Sequence, residues 1–91
     1  MIHRSPKWLA AVRSLNWCVL CNAPGVQAAH RNEGKGMGLK TDDAMTAALC
    51  AECHREIDQG KELSRDERRA RMDRAIVLTV GELARRGLVK A

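Results

Sequence analysis

Two cysteine pairs, Cys18-x2-Cys21 and Cys50-x2-Cys53, limit what this chain can fold into more than any other feature. Each spacing lets two thiolates turn toward one ion, and two such pairs complete a tetrahedral four-cysteine zinc site. A zinc held this way fastens both ends of the segment between Cys21 and Cys50. The chain has need of such a staple. It is 91 residues long, has no Phe and no Tyr, and its aromatic residues are Trp8 and Trp17. The remaining apolar residues are mostly Ala, Leu and Val, which make a thin core in a chain already small enough to be marginal. A structural zinc can supply roughly 10 kcal/mol or more of folding free energy. The competing readings are four unrelated buried thiols or a thioredoxin-like redox motif. The second wants a βαβ frame that neither pair has around it.

Lysine and arginine number 16 against 11 acidic residues, a formal net charge of +5. That balance favours an anionic partner, and nucleic acid is the commonest one. No stretch approaches the roughly 20 apolar residues of a membrane span, and the start, MIHRSPKWLAAV, reads as a helix and not as a secretory signal. The expectation is a cytoplasmic protein, where paired cysteines mean zinc more often than disulfides.

Along the chain, Ser5-Pro6 predicts a helix start, with Trp8, Val12 and Leu15 at helical spacing. Cys18 to Gly25 is a knuckle. Val26 to His30 predicts a strand, Arg31 to Asp43 a polar loop, and Ala44 to Leu49 a second strand closing a hairpin. Ala51 to about Gln59 predicts a helix, with Gly60 as its stop. Ser64-Arg65-Asp66-Glu67 has the capping-box pattern, and the helix after it runs to Arg86 with Gly87 beyond. Met72, Ile76, Val80 and Leu83 are expected to line its inner face, while Gly81 weakens the case for one unbroken helix. Val77 and Leu78 are left for the N-terminal helix or a second subunit; a dimer is compatible with this pattern but not required by it.

CAECHREID, residues 50 to 58, carries the chemistry. Four cysteines already fill a tetrahedral ion. Neighbouring helical residues point about 100° apart around the axis, so His54 should not serve the zinc that holds Cys53. Asp58 lies four residues on, along the same helical face. His30 ends the first strand. A CxxC pair, a His ending a strand, a loop, then LCxxCH opening a helix resembles the HNH, or His-Me finger, nuclease family. Within it, the segments AHR, GMGLKTDD and LCAECHREID and the ending GLVKA look like small phage and prophage nucleases of the YbcO type, and like the catalytic domain of phage recombination-enhancement nucleases.

The resemblance implies an α+β fold: a small zinc-stapled ββα-metal domain with a flanking N-terminal helix and a long C-terminal helix, residues 1–91 forming one unit. It implies a DNA endonuclease in which His30 is the general base and His54 holds one divalent metal at the scissile phosphate, with Mg²⁺ or Mn²⁺ as the expected ion. A phage or bacterial-host setting follows from it, and a recombinase filament is a partner by analogy. The chain departs from the family in two places. Ala29 stands where many members carry a metal-binding Asp, and the middle Asn has no match, Asp42 or Asp43 being nearest. Asp58 is then the candidate second ligand, with Asp43 as the alternative. The chemistry is sound on its own terms. A neutral imidazole can take a proton from water near pH 7, and a hard cation stabilises the negative charge that develops.

GKGMGLKT, residues 34 to 41, fails the phosphate-binding loop pattern because Leu39 stands where Gly should precede the Lys. It reads better as a cationic loop in which Lys35 and Lys40, with Arg31, contact DNA phosphates, or as an ordinary solvated loop. Arg65, Arg68, Arg69, Arg71 and Arg74 are spread around the last helix and read as a solvated face paired with Asp66, Glu67 and Asp73. Two rivals to a nuclease stay open: a non-catalytic zinc module that binds nucleic acid, and a protein-interaction domain that associates through its C-terminal helix.

Overall fold

A computed structural model describes residues 5–31, 43–59 and 62–88. Three helices surround a two-stranded antiparallel hairpin, in the order α1 (Pro6–Arg13), β1 (Gln27–His30), β2 (Thr46–Leu49), α2 (Ala51–Gln59) and α3 (Arg65–Arg85). The α+β expectation holds. The strands start later than the sequence suggests, at Gln27 and Thr46, and they pair Gln27 with Leu49 and His30 with Thr46. Among the described residues no helix is long and apolar enough to cross a membrane.

Local chemistry sets the helix ends. The Ser5 hydroxyl accepts from the Trp8 N–H at 3.1 Å, with Pro6 in the first turn. The Ser64–Glu67 capping box is complete in both directions. At the far end of α3 the Leu88 N–H donates to the Leu83 carbonyl at 2.9 Å and the Gly87 N–H to the Ala84 carbonyl. Gly87 sits at φ +72°, the left-handed residue that such a double-bonded stop requires. Gly81 does not interrupt α3.

Alanine is a poor strand former, yet the hairpin pairs Ala28 with Ala48 and Ala29 with Ala47. Packing supplies what propensity lacks. Side chains alternate across a strand, and each face of this hairpin meets a different layer. Ala29, Ala47 and Leu49 pack with Ile57 of α2 and with Met72 and Ala75 of α3. Ala48 packs with Val12 of α1, with Leu15 just after it and with Leu83 of α3, with Ala28 alongside. The first half of α3 therefore serves one face and its end serves the other, so the helix crosses the outer edge of β2. Thr79 sits at the crossing. Its hydroxyl accepts from the Ala48 N–H at 3.0 Å and donates to the Ala75 carbonyl at 2.8 Å. The Ala48 carbonyl accepts from the Val19 N–H of the knuckle at 3.1 Å. An edge that would otherwise offer unpaired backbone groups is thus closed by two side elements.

This corrects the expected inner face of α3. Met72 and Leu83 are buried as expected, but Val80 is 38% exposed and Thr79 is fully buried in its place. The polar bond to the strand edge rotates the helix toward Thr79. Thr79→Val keeps the shape but strands the Ala48 N–H, and is expected to cost about 1–3 kcal/mol. Thr79→Ser keeps the hydroxyl and should cost less. Thermal melts of the two variants side by side check this.

Candidate functional site

The four cysteines converge. Their sulfurs all lie within 4.8 Å of one another, and the Cys21 and Cys50 sulfurs are 3.7 Å apart. A tetrahedral zinc with Zn–S near 2.3 Å has sulfur–sulfur edges of about 3.8 Å, while a disulfide would need about 2 Å. The four cysteines are free thiols and could hold a zinc ion. The knuckle aims the first pair. The Asn22 N–H donates to the Cys18 carbonyl at 2.8 Å and the Cys18 N–H to the Ala23 carbonyl at 2.9 Å. Asn16 and Asn22 take positive φ of 63° and 64° at the bends, a conformation Asn tolerates better than most residues. The second pair opens α2, where the Cys53 N–H points at the Cys50 sulfur at 3.4 Å.

Crowding makes the thiols unequal. Burial pushes the Cys18 thiol up, but N–H groups of Cys50, Cys21 and Leu20, helped by the Cys21 thiol, bring it down to about 7. Burial and then hydrogen bonding to the other three thiols hold Cys53 well above an ordinary thiol. A divalent cation removes the conflict, because four thiolates can then share its charge.

His54 turns away from this cluster, as the helical geometry requires. Its Nε2 lies 3.0 Å from the Asp58 Oδ2 carboxylate oxygen, four residues on, and its Nδ1 lies 2.8 Å from Oε1 of Gln27 at the start of β1. An imidazole nitrogen and a carboxylate oxygen side by side, both about a third exposed, suit a divalent cation that keeps water on its other positions. His30 has a different partner. Its Nε2 lies 2.9 Å from Oδ1 of Asp43, whose other oxygen accepts from the Ser5 N–H at 2.8 Å. Asp43 is only 4% exposed. It is therefore fixed between the N-terminus of α1 and the end of β1, and it can fix the ring in turn. Asp43, the alternative ligand beside His54, accordingly meets the other histidine.

The two histidines thus form two pairs. Among the described residues, the four cysteines make up the sole group of three or more His, Cys, Asp or Glu side chains close enough to share an ion. Gln27 opens β1 and His30 ends it, a rise of about 10 Å at strand spacing. Arg31, expected on DNA, reaches across to α3, where its Nε lies 3.2 Å from Oδ1 of Asp73. Lys35 and Lys40 lie outside the described residues, as do the rest of the glycine loop and Gly60. On α3, Arg71 pairs with Glu56 and Arg68 reaches the Asp58 carbonyl. These bonds tie α3 to α2 where the sequence suggested ties within one helix. A cleft of about 260 Å³ beside the knuckle, walled by Leu15, Trp17, Val19, Leu78, Arg85 and Arg86 among others, includes neither histidine.

Sequence reasoning missed Gln27, and it missed the bond from the Ser5 N–H to Asp43. Both rest on long-range contacts with no local pattern, although Gln27 stands three positions before His30 on a short strand. Comparison with family models, curated proteins and solved structures gave no match.

Proposed function

We propose that this chain is a metal-dependent DNA endonuclease of the HNH, or His-Me finger, type, acting in phage or prophage recombination or DNA processing. The observation that carries the reading is that each histidine is seated on its own carboxylate, at 2.9 Å and 3.0 Å. With its Nε2–H donated to Asp43, His30 keeps a lone pair on Nδ1 and can take a proton from water. Asp43 then steadies the imidazolium that forms. Attack on phosphorus makes one P–O bond and breaks another, and the leaving oxygen takes its proton from solvent. A divalent cation at His54 and Asp58, when bound, supplies positive charge against the phosphate. The net charge of +5 supports an anionic substrate. A recombinase filament is the proposed partner, on the resemblance alone.

One observation favours the rival, a non-catalytic zinc module that binds nucleic acid. The two histidine pairs do not gather into one cluster among the described residues. A cleavage assay separates the two, on supercoiled plasmid and on single-stranded DNA, with Mg²⁺, Mn²⁺ and Ni²⁺, and with and without a recombinase filament. The nuclease reading expects cutting that needs the added cation. In His54→Ala, half-maximal cutting should need at least about tenfold more cation, with zinc still bound by the cysteines. DNA binding without cutting, by folded and zinc-loaded protein in every condition, would decide for the binding module.

A further inference from the structure

Gln27 has no charge, ligates nothing in the zinc cluster and belongs to no motif. Yet its Oε1 lies 2.8 Å from Nδ1 of His54. An amide oxygen only accepts hydrogen bonds, so a neutral His54 ring that is bonded to it carries its proton on Nδ1. Nε2 then carries the lone pair, and 3.0 Å beyond it stands a carboxylate oxygen of Asp58. Two acceptors face each other. That arrangement is unfavourable until a proton or a cation comes between them. With the proton on Nε2 instead, the ring would donate to Asp58 and the pair would satisfy itself. A cation would then have to displace that proton.

We propose that Gln27 is a positioning residue for His54. It fixes the ring in the Nδ1–H tautomer and keeps the Nε2 lone pair presented, together with Asp58, to a divalent cation. The proposal rests on the reading of His54 and Asp58 as a cation-holding pair. The fold gives Gln27 a constant place from which to act. It is paired in register with Leu49, the residue before Cys50, and α2 begins immediately after Cys50. The same cysteine junction that could hold zinc therefore sets the distance between Gln27 and the first turn of α2. The role resembles that of carbonyl groups which orient metal-binding histidines through the other ring nitrogen.

Gln27 is exposed, so its variants should fold. The test is long-range ¹H–¹⁵N NMR of the His54 ring in the zinc-loaded protein, free of other divalent cations, with the pH raised until the ring is neutral. Wild type is expected to show the Nδ1–H tautomer. Gln27→Glu, which still offers an acceptor oxygen, should keep it, and Gln27→Leu should switch the ring to Nε2–H. Titration with Mn²⁺ should then show about a 10- to 100-fold loss of affinity in Gln27→Leu, with binding retained in Gln27→Glu. A wild-type ring protonated on Nε2 would overturn the proposal, because the amide would then be presenting its NH₂ group. An unchanged tautomer in Gln27→Leu would overturn it equally. A tautomer that follows Gln27 in a protein that binds no Mn²⁺ would uphold Gln27's control of the ring and sink the cation reading beneath it.

Discussion

Stripping zinc with a strong chelator, or replacing Cys53 by serine, is expected to unfold the protein outright. The expectation follows from where the cysteines sit. Cys18 and Cys50 are themselves core residues, packed with Ala29, Leu49, Ile57 and Met72. The four thiols also bring together the knuckle on one side and the start of α2 on the other. The core around them is built largely on alanines, and its largest fully buried side chains are Leu15, Leu49 and Leu83. Domains of this kind have a net stability of about 5–15 kcal/mol, and a structural zinc contributes about 10 kcal/mol or more. Losing the ion removes a term as large as the whole margin. It also leaves four crowded thiols, two of them buried, with no cation to share. Far-ultraviolet circular dichroism during chelation, together with zinc content per chain, checks this. Helical signal should vanish as the bound zinc leaves and return when zinc is restored. Cooperative melting of the metal-free protein at an unchanged temperature would show instead that the four thiols are not a structural site.

What the sequence made legible is what it encodes locally. The Ser5 and Ser64 caps, the stop at Gly87, the two cysteine clips and the divergence of His54 from Cys53 all depend on residues a few positions apart. Each appears in the structure where the spacing put it. What stayed hidden depends on contacts made across the fold. The inner face of α3 could not be read by hydrophobicity because a threonine hydroxyl, bonded to a strand edge 31 positions away, outcompetes Val80 for the interior. The pairing of Arg31 with Asp73 was hidden too, because nothing nearby in sequence announces Asp73. The partner of His30 was equally hidden. Asp43 and Asp58 were both plausible beside His54, and only the pairing of β1 with β2 and the docking of α1 assign one carboxylate to each ring.

That assignment gives the second large expected effect. On the nuclease reading, Asp43→Asn should lower DNA cleavage by about 10²- to 10⁴-fold, the usual worth of a general base, while leaving the fold intact. The reason is the Ser5 N–H, which donates to one carboxylate oxygen at 2.8 Å while His30 uses the other. A carboxylate can accept from both neighbours. An asparagine has one oxygen, and the backbone N–H, which can only donate, must take it. The amide NH₂ then faces His30 Nε2, which can accept only if its own proton moves to Nδ1. The nitrogen required as base would be protonated, although every heavy atom stays in place. His30→Ala should lose activity to a similar extent, and the double variant should be no worse than either single one, because the two side chains act as a unit. Single-turnover cleavage rates across pH, with thermal melts as a control on folding, decide the matter. An Asp43→Asn protein that melts normally and cuts at the wild-type rate would leave Asp43 only a structural tie between α1 and the hairpin. His30 would then have to act as a base without a carboxylate behind it.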